Sequence, residues 1–245
     1  MVQRVAGYSR GMTETGEGFG GVPPETIRFL RQLSRNNNRD WFQAHHDEYR
    51  RFLIEPAMDL VEALGEGLQA LGKGIHAEPK IGGSVMRINR DIRFSKDKRP
   101  YKDHLDLWFW QGGGPSRERP GYWFRLTTKE LILGAGMHDF GAKPELLQRY
   151  RDAVVDPRKG PALARAVEKV RSAGCDVGGR RFKRVPKGFD PEHPRAELLL
   201  HDGLHAGITM SHPKELHAPS FAEFCVRRYR DFTPIQEWLV GLVGR

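Results

Sequence analysis

The chain has 245 residues, 38% of them hydrophobic and 29% charged, which excludes a disordered polyelectrolyte and allows one large domain or two small ones. Two cysteines exclude a disulfide framework and fit a reducing, cytoplasmic setting, and no apolar run has the length of a membrane span or a signal core. The net charge of +9 suits a polyanionic partner without identifying one.

Residues 1–22 hold six glycines and little apolar material, which predicts a flexible tail before an α+β domain over 23–245. Pro23-Pro24 opens a helix with Ile27, Phe29, Leu30 and Leu33 on one side, ending at Asn36-Asn37-Asn38. Asn38 is a good N-cap for a second helix whose Trp41, Phe42, His45, Tyr49 and Phe52 read as core. Pro56 opens a third, striped by Met58, Val61, Leu64, Leu68 and Leu71. At its end, residues 67–74 imitate a phosphate loop, but Gly74 stands where Ser or Thr should bind magnesium, and a helix precedes it instead of a strand. It reads as a glycine-rich helix end.

Residues 87–102 are the unusual stretch, with four Arg, three Lys and two Asp in sixteen residues. As a strand, 85–94 puts Met86, Ile88, Ile92 and Phe94 on one face together with Arg90. A guanidinium there needs a partner, and Asp97 or an acidic helix residue is the candidate. A turn over 95–100 follows, and alternation resumes from Tyr101 to Trp110. With strands at 121–127 and 131–137, this predicts an antiparallel meander of four strands, with Gly134 and Gly136 marking close approach or a bulge. Trp108, Trp110 and Trp123 fall on one face, which the helices are expected to cover, although such a face beside arginines would also suit base stacking. Helices from Pro144 to Val155 and Pro161 to Ala173, a basic loop over 180–190, a short helix at 197–200, a strand over 204–210 and closing helices at 219–231 and 234–243 complete the chain. The expected architecture is a central, mostly antiparallel sheet packed by N-terminal and C-terminal helices.

The pattern of Arg87, Arg90, Asp91, Arg93, Phe94, Asp97, Lys98 and Tyr101 resembles domain-of-unknown-function family 2461, a mostly bacterial group. Residues 36–42, 134–136 and 184–189 extend the resemblance over about residues 24–242. The family carries no established activity, so the resemblance implies no functional residue beyond these motif positions.

Three chemistries compete for the motif. Arginine forks and lysine charges suit phosphate, so Arg87, Arg90, Arg93, Lys96, Lys98 and Lys102 could surround a phosphorylated small molecule or a nucleic-acid backbone, with Asp91, Asp97 and Tyr101 as orienting groups. Asp91 and Lys98 could instead act as catalytic groups on a phosphorylated substrate. Alternatively, the same residues could form a salt-bridge lattice in a domain that works through a protein contact. Between Lys80 and His104, eight cations face three aspartates, and a second basic run spans 180–187; the two are candidates to converge on one groove. His45-His46 and His201-Asp202-Gly203-Leu204-His205 read as surface histidines, with no metal expected. Cys175 and Cys225 lack the setting of a nucleophile, and Ser95, in electropositive surroundings between Phe94 and Lys96, reads as a turn hydroxyl.

Overall fold

A computed structural model describes residues 18–140 and 144–244. The N-terminal layer follows its sequence signals. α1 (Pro24–Arg35) starts on its proline and buries Phe29, Leu30 and Leu33. α2 (Arg39–Ala44) is capped by Asn38, whose side-chain oxygen accepts the Trp41 N–H at 2.9 Å. The second helix, expected to run from Arg39 past Phe52, is divided into α2, α3 (His46–Tyr49) and one π-helical turn (Arg50–Ile54), which leads into the expected third helix, α4 (Glu55–Gln69). Pro56 accounts for the π-helical turn. It has no N–H for the Phe52 carbonyl one turn back, and its ring crowds that carbonyl. The Thr26 hydroxyl, reaching across from α1, donates to the Phe52 oxygen at 2.5 Å and ties the two helices together. The imitation phosphate loop is the end of α4 and the turn after it, with Gly74 at φ 75°.

β1 (Leu105–Trp110), β2 (Gly121–Leu126) and β3 (Glu130–Met137) form the meander. α5 (Pro144–Val155) and α6 (Lys159–Ser172) follow. β4 (Asp176–Arg180) and β5 (His201–Ser211) complete an antiparallel sheet of order β1-β2-β3-β5-β4. α7 (Phe221–Arg230) and α8 (Thr233–Val243) close the chain. The fold is α+β. Leu107, Phe109, Tyr122, Phe124, Leu133, Ala135 and Ala206 form the inner face of the sheet, all buried. Helices lie on that face: Phe124 meets Phe221 at 6.1 Å, and Tyr122 meets Tyr229 at 5.1 Å.

Four expectations need correction. Residues 85–94 are not a strand; only single bridges, Ile81 to Val85, Val85 to Leu107 and Asn89 to Tyr101, remain. Beyond Arg90, backbone N–H groups turn to nearby side chains: Arg93 N–H donates to Asp91, and Arg99 N–H to Asp97. The ladder therefore stops, and residues 87–102 form an irregular protrusion beside β1. Phe94, assigned to the core by alternation, is 95% exposed. The meander has three strands, and β3 takes β5 as its other neighbour. β4 was not expected; its Gly178-Gly179 pair and the register shift between Gly178 and Arg180 hide it from any alternation. Of the expected tail, residues 1–17 lie outside the described residues, while Val22 is buried and donates its N–H to the Leu216 carbonyl at 2.9 Å.

Gly134 does sit at a close approach. A Cβ there would collide with the Trp123 ring and with the Ala206 carbonyl oxygen. Gly134→Ala is expected to destabilise the fold by about 1–3 kcal/mol, the usual cost of overpacking, read as a lower denaturation midpoint with an unchanged slope.

Candidate functional site

The protrusion is bound to the N-terminal helices at its base. The Asn37 side chain donates to the Tyr101 carbonyl at 2.9 Å and accepts the Tyr101 N–H at 3.0 Å. The Tyr101 ring stacks on Phe42 at 4.1 Å and is buried. An asparagine side chain thus stands in for a neighbouring strand, and it joins the Asn-rich turn to the basic stretch.

Most charges on the protrusion are spent internally. Arg90 Nη1 meets Asp97 at 2.8 Å and also donates to the Arg99 carbonyl, so its partner is the expected aspartate. Arg99 forks onto Asp97 and reaches Asp103 at 3.4 Å. Asp103 meets His104, and His104 meets Asp106 at 3.3 Å. Asp106 also takes Lys102 at 2.9 Å and Arg125 at 2.6 Å. A chain of polar contacts thus runs from the protrusion onto β2. Burial alone would raise the Asp106 carboxyl, but the His104 and Arg125 hydrogen bonds outweigh it and hold the pKa well below the carboxylate range. The Arg99 hydrogen bonds act likewise on Asp97.

Arg93 forks onto Asp91 and lowers its pKa to about 2. Asp91 is therefore a weak base, and with its side chain 61% exposed it is not enclosed with Lys98, whose ammonium donates to the Ile92 carbonyl at 3.0 Å. Arg87 and Lys96 are exposed and make no ion pair among the described residues.

The second basic run lies at the opposite edge of the sheet, where Arg180 pairs with Glu197 and Arg181 with Asp202. Four strand spacings, about 19 Å, separate β1 from β4, so the two basic stretches do not line one small-ligand groove.

The outer face of the sheet holds the tryptophans together with His138 and His205, which the sequence did not bring to them. Its register sets Trp110, Gly121, Gly136, His205 and Gly178 in one row across five strands. The next row is Trp108, Trp123, Gly134, Gly207 and Asp176. The large rings lean onto the glycines of neighbouring strands: Trp108 onto Gly121, Trp123 onto Gly134 and His205 onto Gly178. His138, just past β3, lies 4.4 Å from Trp123 and 4.5 Å from His205. The tryptophans are thus on the face opposite the helices, not under them. Alternation already separated Trp123 from Tyr122 and Phe124, but only the register brings His205 and the glycines to it.

His201 is not a surface residue; it is 3% exposed. Among the described residues, no three His, Cys, Asp or Glu side chains are grouped to hold a metal, and no helix is long and apolar enough to cross a membrane. Burial lowers the pKa of His138 and His201, and it takes His205 to about 4, helped by its histidine neighbours. An imidazole kept neutral in the fold but free to charge when unfolded costs stability as pH falls. Melting temperature should therefore drop as pH falls from about 6.5 toward 4, with a shallower slope in His205→Gln; an equal slope would remove His205 as the cause.

No curated protein matches the chain. The family described as a conserved hypothetical protein, DUF2461, matches residues 25–238, most of the chain, and the protein belongs to that family.

Proposed function

We propose that the protein binds a phosphate-bearing ligand, a nucleotide or nucleic acid, through the protrusion over 87–102. The carrying observation is what remains once the aspartates are satisfied. Arg87 and Lys96 stay exposed without an ion-pair partner among the described residues, and Phe94 on the same stretch, with the Arg93 guanidinium 5.8 Å from its ring centre, is 95% exposed. Cations with no local counterion are available to phosphate oxygens, and an exposed ring offers a stacking surface. The net charge of +9 favours the same encounter. Binding to a short oligonucleotide should weaken with salt, and Arg87→Ala or Lys96→Ala should each reduce the slope of log K against log salt by about 1. Binding that ignores salt and survives both substitutions would overturn the reading.

The ion-pair chain from Arg90 to Asp106 favours a second reading, in which the motif is mainly a lattice that holds the protrusion to the sheet. On that reading Arg90→Ala lowers the melting temperature measurably, because it removes the contacts to Asp97 and to the Arg99 carbonyl together. A melting temperature equal to that of the parent protein would count against it.

A further inference from the structure

The protrusion offers charge and one ring, while the outer sheet face offers rings and little charge at its centre. Trp123 and Trp108 are half-buried and His138 is exposed. Trp123, His138 and His205 touch one another at centroid distances of 4.4 to 5.8 Å. Glycine makes this platform possible. A side chain at Gly134 or Gly178 would occupy the space where Trp123 or His205 lies. Across its first four strands the face spans three strand spacings, roughly 14 Å, comparable to RNA-binding sheets that seat two or three bases.

Charge at the rim complements this centre. Arg125 sits in the row beside Trp108 and Trp123, held by Asp106, with its side chain 44% exposed. Lys129 is exposed at the turn from β2 to β3. Contacts from Arg125 through Asp106, His104 and Asp103 to Arg99 link the platform to the protrusion.

We infer that the ligand is a single-stranded nucleic acid whose bases stack on Trp123 and His138 while the protrusion and Arg125 hold its phosphates. The inference rests on the phosphate-binding reading above and adds the class of ligand and the seat of its bases. A duplex does not fit this assignment, because its bases already stack on each other and present no free ring face to the sheet. Neutral imidazoles suit stacking, and partial desolvation among these rings lowers the pKa of both His138 and His205.

The test compares binding of the full chain to three labelled probes: a short oligothymidylate, an abasic strand with the same number of phosphates, and a duplex of equal length. The oligothymidylate should bind about tenfold or more tighter than the abasic strand and quench the tryptophan fluorescence. His138→Ala should erase most of that preference, as should Trp123→Leu; the exposed His138 keeps the test readable if the tryptophan variant fails to fold. Equal binding of the full and abasic strands would overturn base stacking and leave the phosphate reading intact. A preference for the duplex, or a single-strand preference unchanged in His138→Ala, would overturn the proposed seat. No binding of any probe, nor of inorganic polyphosphate, would overturn this inference and the phosphate reading together.

Discussion

Tyr122 and Phe124 point into the helical layer, and Trp123 between them lies across glycines of the neighbouring strands. That division of one strand sets the layout of the molecule. Burying rings of this size contributes on the order of 1.5–3 kcal/mol each. The inner face therefore needs a cover, which α7 supplies through Phe221 and Tyr229 and α8 through Thr233 beside the Tyr122 hydroxyl. The outer face needs room, which Gly121, Gly134 and Gly178 supply by having no side chain. Exchanging the residue types between the two faces would leave a cavity on one and a collision on the other.

The protrusion follows a different rule. Its charges do not sit in a low-dielectric interior, so no single pair in it is worth much by itself. Its shape comes from several short devices acting together: Asp91 and Asp97 each hold the residue two positions on, Asn37 grips both backbone groups of Tyr101, and Arg90 ties Asp97 to the Arg99 carbonyl. A loop built this way keeps its form while presenting the residues left over, Arg87, Lys96 and Phe94, to solvent.

Features decided within a few residues were legible in the sequence: the proline start of α1, the Asn38 cap, the stripe of α4 and the strands around Tyr122 and Leu133. Features decided by competition were not. Alternation over 85–94 treats Asp91 as one member of a strand face, but its carboxylate bonds the local backbone and ends the ladder. β4 carries glycines where a pattern would need apolar residues. Alternation grouped the tryptophans of the outer face, but the histidines and glycines beside them were invisible for a further reason. His205 reaches Gly136 and Gly178 only through pairing register, and no local stretch of sequence encodes which strands will be neighbours.

The segment just before the protrusion also has a consequence for association between molecules. Open sheet edges invite other chains to add strands and start aggregation. Here the free edge of β1 is occupied: Met86 N–H donates to the Asp106 carbonyl, Trp108 N–H to Ser84 and His76 N–H to Trp110. At the other edge, β4 is five residues long, interrupted by a register shift, and bounded by Asp176 and Arg180. Neither edge presents a long, flat template for fibril growth, and the same chain path that launches the basic protrusion shields the more regular of the two.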